Sequence, residues 1–160
     1  MKQRVVLAVG LPGSGKTTWF ARQGLHTLSS DRLRLLLADD ETEQRFQKWI
    51  FAALRHLLRM RLKLGRPLTC IDATNLTAAE RRPYIRIARR MGCRVEAVFF
   101  DVPAAVCRRR NRSRSRRVPE QAMLRLASRL CPPRLEEGFS RITVVGSSGR
   151  RKLAKRAKQV

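Results

Sequence analysis

Gly10-Leu-Pro-Gly-Ser-Gly-Lys-Thr17 decides the fold. It fits the pattern G-x-x-x-x-G-K-[ST] at every fixed position. It also follows Arg4 to Val9, a β-branched apolar run of the buried-strand type, and precedes a helical stretch over residues 16–23. A strand feeding a glycine turn that opens a helix is a phosphate cradle. The glycines let backbone N–H groups turn inward without a Cβ in the way, and the helix start aims its positive end at the same point. In such a cradle Gly10, Pro12, Gly13, Ser14, Gly15, Lys16, Thr17 and Thr18 surround a nucleoside triphosphate, ATP or another. Lys16 reaches its β and γ phosphates, and the Thr17 hydroxyl is placed to ligate Mg2+.

Outward from the cradle the pattern alternates. Short apolar runs at 26–29, 67–71, 94–100 and 141–145 read as strands. Helical stretches are expected over 43–64, 77–91, 103–111 and 119–130. Phe46, Trp49, Ile50, Ala53, Leu54, Leu57 and Leu58 recur at three-to-four spacing in the first of these, which places Trp49 in the core. Thr77 with Glu80 forms a capping box, and Gly65 and Gly92 stop the two helices they follow. The expectation is an α/β P-loop NTPase: a five-stranded parallel sheet with helices on both faces and an arginine-rich helical lid. Residues 1–145 form one domain, and the Gly-Ser-Ser-Gly and basic residues of 146–160 read as a flexible tail.

The chain has 160 residues, 43% of them hydrophobic, so it buries a core despite a net charge of +24. It holds 29 arginines and 7 lysines. Arginine grips phosphate in a planar two-point fork, and a charge of this size attracts polyanions. Cys107 to Arg117 carries seven arginines and no acid. Cys70, Cys93, Cys107 and Cys131 form no C-x-x-C pair, so they read as reduced thiols and not as a zinc site. No apolar run approaches a membrane span, and the run from Val5 leads into the cradle without a cleavage site. A soluble, cytoplasmic protein is expected.

Two aspartates fall at strand ends, where open α/β sheets bind ligands. Asp31 follows the second strand, either as a base that accepts a hydroxyl proton or as the cap of the helix after it. Asp72 ends the third strand, as an acid of a Mg2+ site, an anchor for an arginine or an Asx turn. Thr74 and Asn75 after it offer hydrogen bonds to an acceptor. Residues 111–119 connect two helices above the cradle. One or two of Arg110, Arg112, Arg114 and Arg116 are expected on the transferred phosphate, with the others free to hold a polyanion.

Four stretches in order carry a resemblance: Gly10 to Thr18, Ser30-Asp-Arg-Leu-Arg34, Asp72-Ala-Thr-Asn-Leu76, and Arg110-Asn111 followed by Val118-Pro119. Together they resemble the P-loop polynucleotide 5′-hydroxyl kinases of the phage and bacterial RNA/DNA-repair type, small AAA-type P-loop kinases. The resemblance implies Asp31 as general base and Arg34 on the phosphate beside the acceptor hydroxyl. It implies Asp72 as second acid and Thr74 as acceptor contact. It also implies Arg114 as the lid arginine, with Arg110 as second candidate. The partner it implies is a 5′ end of RNA or DNA. The lid is about one residue shorter than in some relatives, so Arg112, Arg114 and Arg116 stay open for its role. Related kinases of this architecture phosphorylate nucleosides, sugars or antibiotics. A nucleic-acid-binding ATPase without transfer chemistry shares the same cradle.

Overall fold

The computed structural model describes residues 3–156. Six strands form one sheet: β1 (Arg4–Val9), β2 (Thr27–Ser29), β3 (Leu68–Asp72), β4 (Arg94–Phe100), β5 (Arg141–Val145) and β6 (Arg151–Arg156), in the order β2-β3-β1-β4-β5-β6. The first five run parallel. β6 is antiparallel to β5, so the sheet is mostly parallel and has one strand more than the sequence led us to expect.

That sixth strand comes from the segment read as a tail. Gly146 N–H donates to the Arg150 carbonyl at 3.1 Å, and Gly149 takes a φ of +75°, closing a turn between the two strands. β5 would otherwise leave a row of backbone donors and acceptors without partners, and β6 fills it. Its own outer edge is lined with lysine and arginine, which discourages further pairing. Composition hid this strand because basic edge strands lack an apolar run. Residues 157–160 lie outside the described residues.

Side chains alternate across β1 and build two cores. Val5, Leu7 and Val9 face α3 (Gln47–Lys63) and α4 (Ala78–Arg90), packing with Ile50, Leu54, Leu58, Tyr84 and Ala88. Val6 and Ala8 face the other way, toward α1 (Lys16–Arg22), where Trp19 meets Phe20 and Phe100 edge-on at 5.2 and 5.9 Å. A third cluster, with Leu11, Leu76, Cys107 and Met123, seats α5 (Ala104–Arg112) and α6 (Glu120–Arg129) at the carboxyl edge of the sheet. Helices therefore cover both faces, and the arginine-rich connection between α5 and α6 sits over the strand ends.

Three local expectations change. α2 (Ser30–Ala38) is capped by Ser29, whose Oγ accepts from Arg32 N–H, so Asp31 is not the cap. α3 starts at Gln47 and not at residue 43. Asp40 there accepts from the Thr42 backbone at 2.8 Å and Glu43 from the Arg45 backbone at 2.7 Å, local bonds that compete with a helix. Thr77 does cap α4 by accepting from Glu80 N–H at 3.2 Å, but the Glu80 carboxylate reaches one residue further back, to Leu76 N–H.

Arg81 is fully buried beneath this junction. It pairs with Glu137 at 2.7 Å and donates to the carbonyls of Asn75, Leu76 and Cys131. Through this one side chain the β3–α4 loop is tied to the segment after α6.

Candidate active site

The cradle lies where β1 ends. Gly10 N–H donates to the Thr74 carbonyl at 3.0 Å, which locks the loop to the end of β3. Gly13 and Gly15 take φ of +79° and +94°, values that only glycine adopts at small cost. A Cβ on Gly13 would also stand 2.6 Å from the Cys107 carbonyl, so α5 packs directly against the loop backbone. Ser14 Oγ is buried there without a hydrogen-bond partner. Lys16 Nζ folds back onto the carbonyls of Gly10 and Leu11 at 3.0 and 2.8 Å. Burial pushes this ammonium down to about 8, against the opposing pull of Asp72 and Asp31.

Thr17 Oγ1 donates to Asp72 Oδ2 at 2.7 Å. Asp72 is buried, and its carboxyl is pushed up by that burial while the Thr17 hydrogen bond and the Lys16 charge hold it down. The Thr17 hydroxyl and the Asp72 carboxylate are hard oxygen donors of the kind Mg2+ takes, alongside phosphate oxygens and water. Among the described residues no group of three His, Cys, Asp or Glu side chains stands ready to hold a metal alone. Of the alternatives for Asp72, the arginine anchor is not what is found: Asp72 bonds Thr17, and among the described residues it enters no ion pair.

Asp31 sits on the first turn of α2 with both carboxylate oxygens engaged. Oδ1 accepts from Arg34 Nη1 at 2.8 Å and Oδ2 pairs with Arg116 Nη1 at 2.6 Å. The side chain is still 41% exposed. Arg34 is buried between Asp31 and Gln47, donating to the Gln47 side chain at 2.6 Å, with its Nε left unpartnered. In this state Arg34 braces Asp31.

The lid arginines divide by direction. Arg110 crosses the cradle, donating to the Gly13 carbonyl at 3.4 Å and to the Ser147 carbonyl at 2.6 Å. Arg114 enters no ion pair among the described residues, and its charge bears on both Lys16 and Asp72. Arg116 reaches Asp31. Arg112 turns away to Glu120 at 3.5 Å, where Arg108 also pairs. Asn111 holds the connection in shape: buried, it exchanges two hydrogen bonds with the Val118 backbone, at 2.7 and 2.9 Å.

Lys16, Thr17, Asp31, Asp72, Arg34, Arg114 and Arg116 thus converge at the carboxyl edge, with Thr18 exposed and Pro12 half-buried on the rim. Asn75, expected to face an acceptor, does not. It is buried with a φ of +46°, and its amide donates to the Ala8 carbonyl at 2.8 Å, tying β3 to β1. Thr74 contributes its backbone carbonyl to the loop and leaves its side chain half-buried. Gln47 and Ser147 were not legible in sequence, since each acts through one contact from a distant segment.

A family model described as an AAA domain (AAA_33) matches residues 5–133. A chain of the Pnkp1/Rnl/Hen1 RNA repair complex superposes with a TM-score of 0.67 at 22% identity, covering 81% of this chain and 44% of that one. This chain therefore spans less than half the length of that relative. A putative kinase from Chloroflexus aurantiacus J-10-fl gives 0.70 at 16% identity, over 92% and 89% of the two chains. A gluconokinase from Sinorhizobium meliloti 1021 gives 0.58 at 19% identity, over 92% and 83%. At these identities the likeness is one of fold. No helix among the described residues is long and apolar enough to cross a membrane. Cradle, sheet order and match agree: the chain belongs to the AAA domain family and has a kinase-like P-loop fold.

Proposed function

We propose that the protein is an ATP-dependent kinase that transfers the γ-phosphoryl group to the 5′-hydroxyl of RNA or DNA, with Asp31 as general base. The observation that carries this is the state of Asp31. Capping falls to Ser29, so the Asp31 carboxylate is not used as the helix cap, and among the described residues its oxygens meet only arginines. Two arginines instead hold it in place, partly exposed, on the same edge of the sheet as Lys16.

In this reading the cradle and Lys16 bind the triphosphate. Thr17 and Asp72 hold Mg2+, which when bound neutralises charge on the phosphate oxygens. Asp31 accepts the acceptor's proton, which raises the nucleophilicity of that oxygen in the transition state. Substrate entry displaces Arg116 from Asp31, and Arg114 sets a positive charge against the oxygens where negative charge gathers. Arg110 covers the nucleotide from the α5 side. Arg34 keeps Asp31 aimed; its guanidinium is buried between Asp31 and Gln47, so the phosphate contact that the resemblance implies requires it to turn out of that position.

A second reading, phosphorylation of a small hydroxylated acceptor such as a sugar or nucleoside, is favoured by the near-complete overlap with the gluconokinase, 92% of this chain. The experiment offers γ-labelled ATP with Mg2+ to a 5′-hydroxyl oligonucleotide and, separately, to a panel of sugars and nucleosides. Label on the oligonucleotide at low salt supports the first reading. Label on a small acceptor with an inert oligonucleotide supports the second, and hydrolysis alone rejects both.

A further inference from the structure

Two aromatic residues of the expected apolar stripe, Phe46 and Trp49, are not buried. Trp49 is 67% exposed, Phe46 43% and Leu37, across from them on α2, 56%. They line a groove of about 770 Å3 between α2 and α3 that continues along α3 past Ala53 and His56 to Arg59. That size is within the range of ligand sites, and its walls are apolar in a chain of net charge +24.

The groove runs along the same two helices that carry Asp31, Arg34 and Gln47. Gln47, on the first turn of α3, accepts from Arg34, which in turn holds Asp31. Trp49 is two residues further on. At the other end Arg59 also lines a second cavity of about 400 Å3, shared with Arg55, Arg86 and Arg90 on α3 and α4. None of these four arginines has a carboxylate within ion-pair distance among the described residues. Ten residues at a 1.5 Å rise separate Trp49 from Arg59, about 15 Å along the helix.

We propose that this groove is the path of the acceptor strand, a single-stranded polynucleotide whose bases stack on Trp49 and Phe46 and whose backbone phosphates lie on Arg55, Arg59, Arg86 and Arg90. The inference rests on the reading of the site as a polynucleotide kinase, in that it sets the strand's 5′ end at Asp31. Charge selects the occupant. A greasy groove that ends in four unpaired guanidinium groups suits a ligand carrying flat apolar faces and a regular row of anions. Base–aromatic stacking and a basic track are the two ingredients of single-strand sites. An apolar protein segment would leave the arginines without counter-charge.

The test is binding of the full chain to (dT)12, followed by tryptophan fluorescence. Trp19 is buried among Phe20 and Phe100, so Trp49 carries the response to solvent-side contacts. We expect quenching by (dT)12, little by (dT)3 or inorganic phosphate, and none in Trp49→Phe, which keeps a stacking ring and so keeps affinity. Trp49→Ala weakens binding about tenfold. Arg86→Ala with Arg90→Ala lowers the slope of log affinity against log salt by about 1.4, the loss of two phosphate contacts on a single strand. All three positions, Trp49, Arg86 and Arg90, are exposed, and circular dichroism checks the fold of each variant.

Equal affinity of (dT)12 for the parent and Trp49→Ala, or equal affinity of the parent for (dT)3 and (dT)12, overturns the proposal. So does self-association in sedimentation that Trp49→Ala abolishes, which would assign the groove to a second copy. Failure of the catalytic reading looks different: tight, quenching, Trp49-dependent binding with no label reaching the strand's 5′ end. Conversely, label transfer to (dT)12 that Trp49→Ala leaves untouched keeps the kinase and removes this path.

Discussion

Lys16 is held in an unusual state, and nucleotide binding reports it. Its ammonium is buried against the carbonyls of Gly10 and Leu11, and its pKa falls from 10.5 to about 8. Desolvation is the leading cause, and it outweighs the attraction of Asp72 and Asp31. A triphosphate brings several negative charges to this ammonium and restores its protonated form. At pH 8.5 the free lysine is then roughly three-quarters neutral, so binding takes up about 0.75 of a proton; at pH 7 uptake falls to about 0.1. Calorimetry of a non-hydrolysable ATP analogue in two buffers of different ionisation enthalpy measures this number. Lys16→Arg keeps the charge at every pH tested, and uptake in that window vanishes. Equal uptake at pH 7 and 8.5 would refute the account of this lysine. Stability moves in the matching direction. Between pH 8 and 10.5 the unfolded chain binds more protons than the folded one, so the nucleotide-free protein gains stability as pH rises through that window.

Three other outcomes follow from particular contacts. Gly13→Ala places a Cβ 2.6 Å from the Cys107 carbonyl at a φ of +79°; nucleotide affinity should be lost in calorimetry, and an affinity near the parent's would show that the loop tolerates another shape. Asn75→Ala strands the Ala8 carbonyl at the crossing of β1 and β3, which should cost about 1–3 kcal/mol in urea unfolding; no change in midpoint contradicts the tie. Glu137→Gln leaves the fully buried Arg81 guanidinium without its counter-charge, and a loss of about 3–5 kcal/mol is expected; a loss below about 1 kcal/mol would mean that the three carbonyls alone satisfy it.

Much of the architecture was legible because its signals are local. A strand, a glycine turn and a helix within residues 4–22 identify the cradle without any distant partner, and strand–helix alternation then implies a parallel sheet. Two kinds of feature escaped. Four of the six residues of β6 are Lys or Arg, so its composition does not signal a strand; it forms because β5 has a free edge, which is a property of the sheet. Trp49 fits the three-to-four apolar rhythm of α3, yet the stripe is wider than the face that α2 and the sheet can cover, and it stays outside. In the site, position alone left Asp31 between cap and base. Ser29 two residues earlier takes the cap, a competition between two good cap residues that sequence does not decide. Asn75 shows the opposite error: its left-handed backbone and buried amide make it a fastener for the strands. The lid arginines separate only once Glu120 is seen drawing Arg108 and Arg112 to the far side.

Single-turnover transfer from γ-labelled ATP to a 5′-hydroxyl oligonucleotide, compared between the parent and Asp31→Asn, probes the base directly. The account predicts a rate lower by about 10²–10⁴-fold with ATP-analogue affinity unchanged, since Asp31 lies outside the cradle. A transfer rate within a few-fold of the parent's would contradict it and leave the protein a binder of triphosphates whose acceptor chemistry runs through other groups.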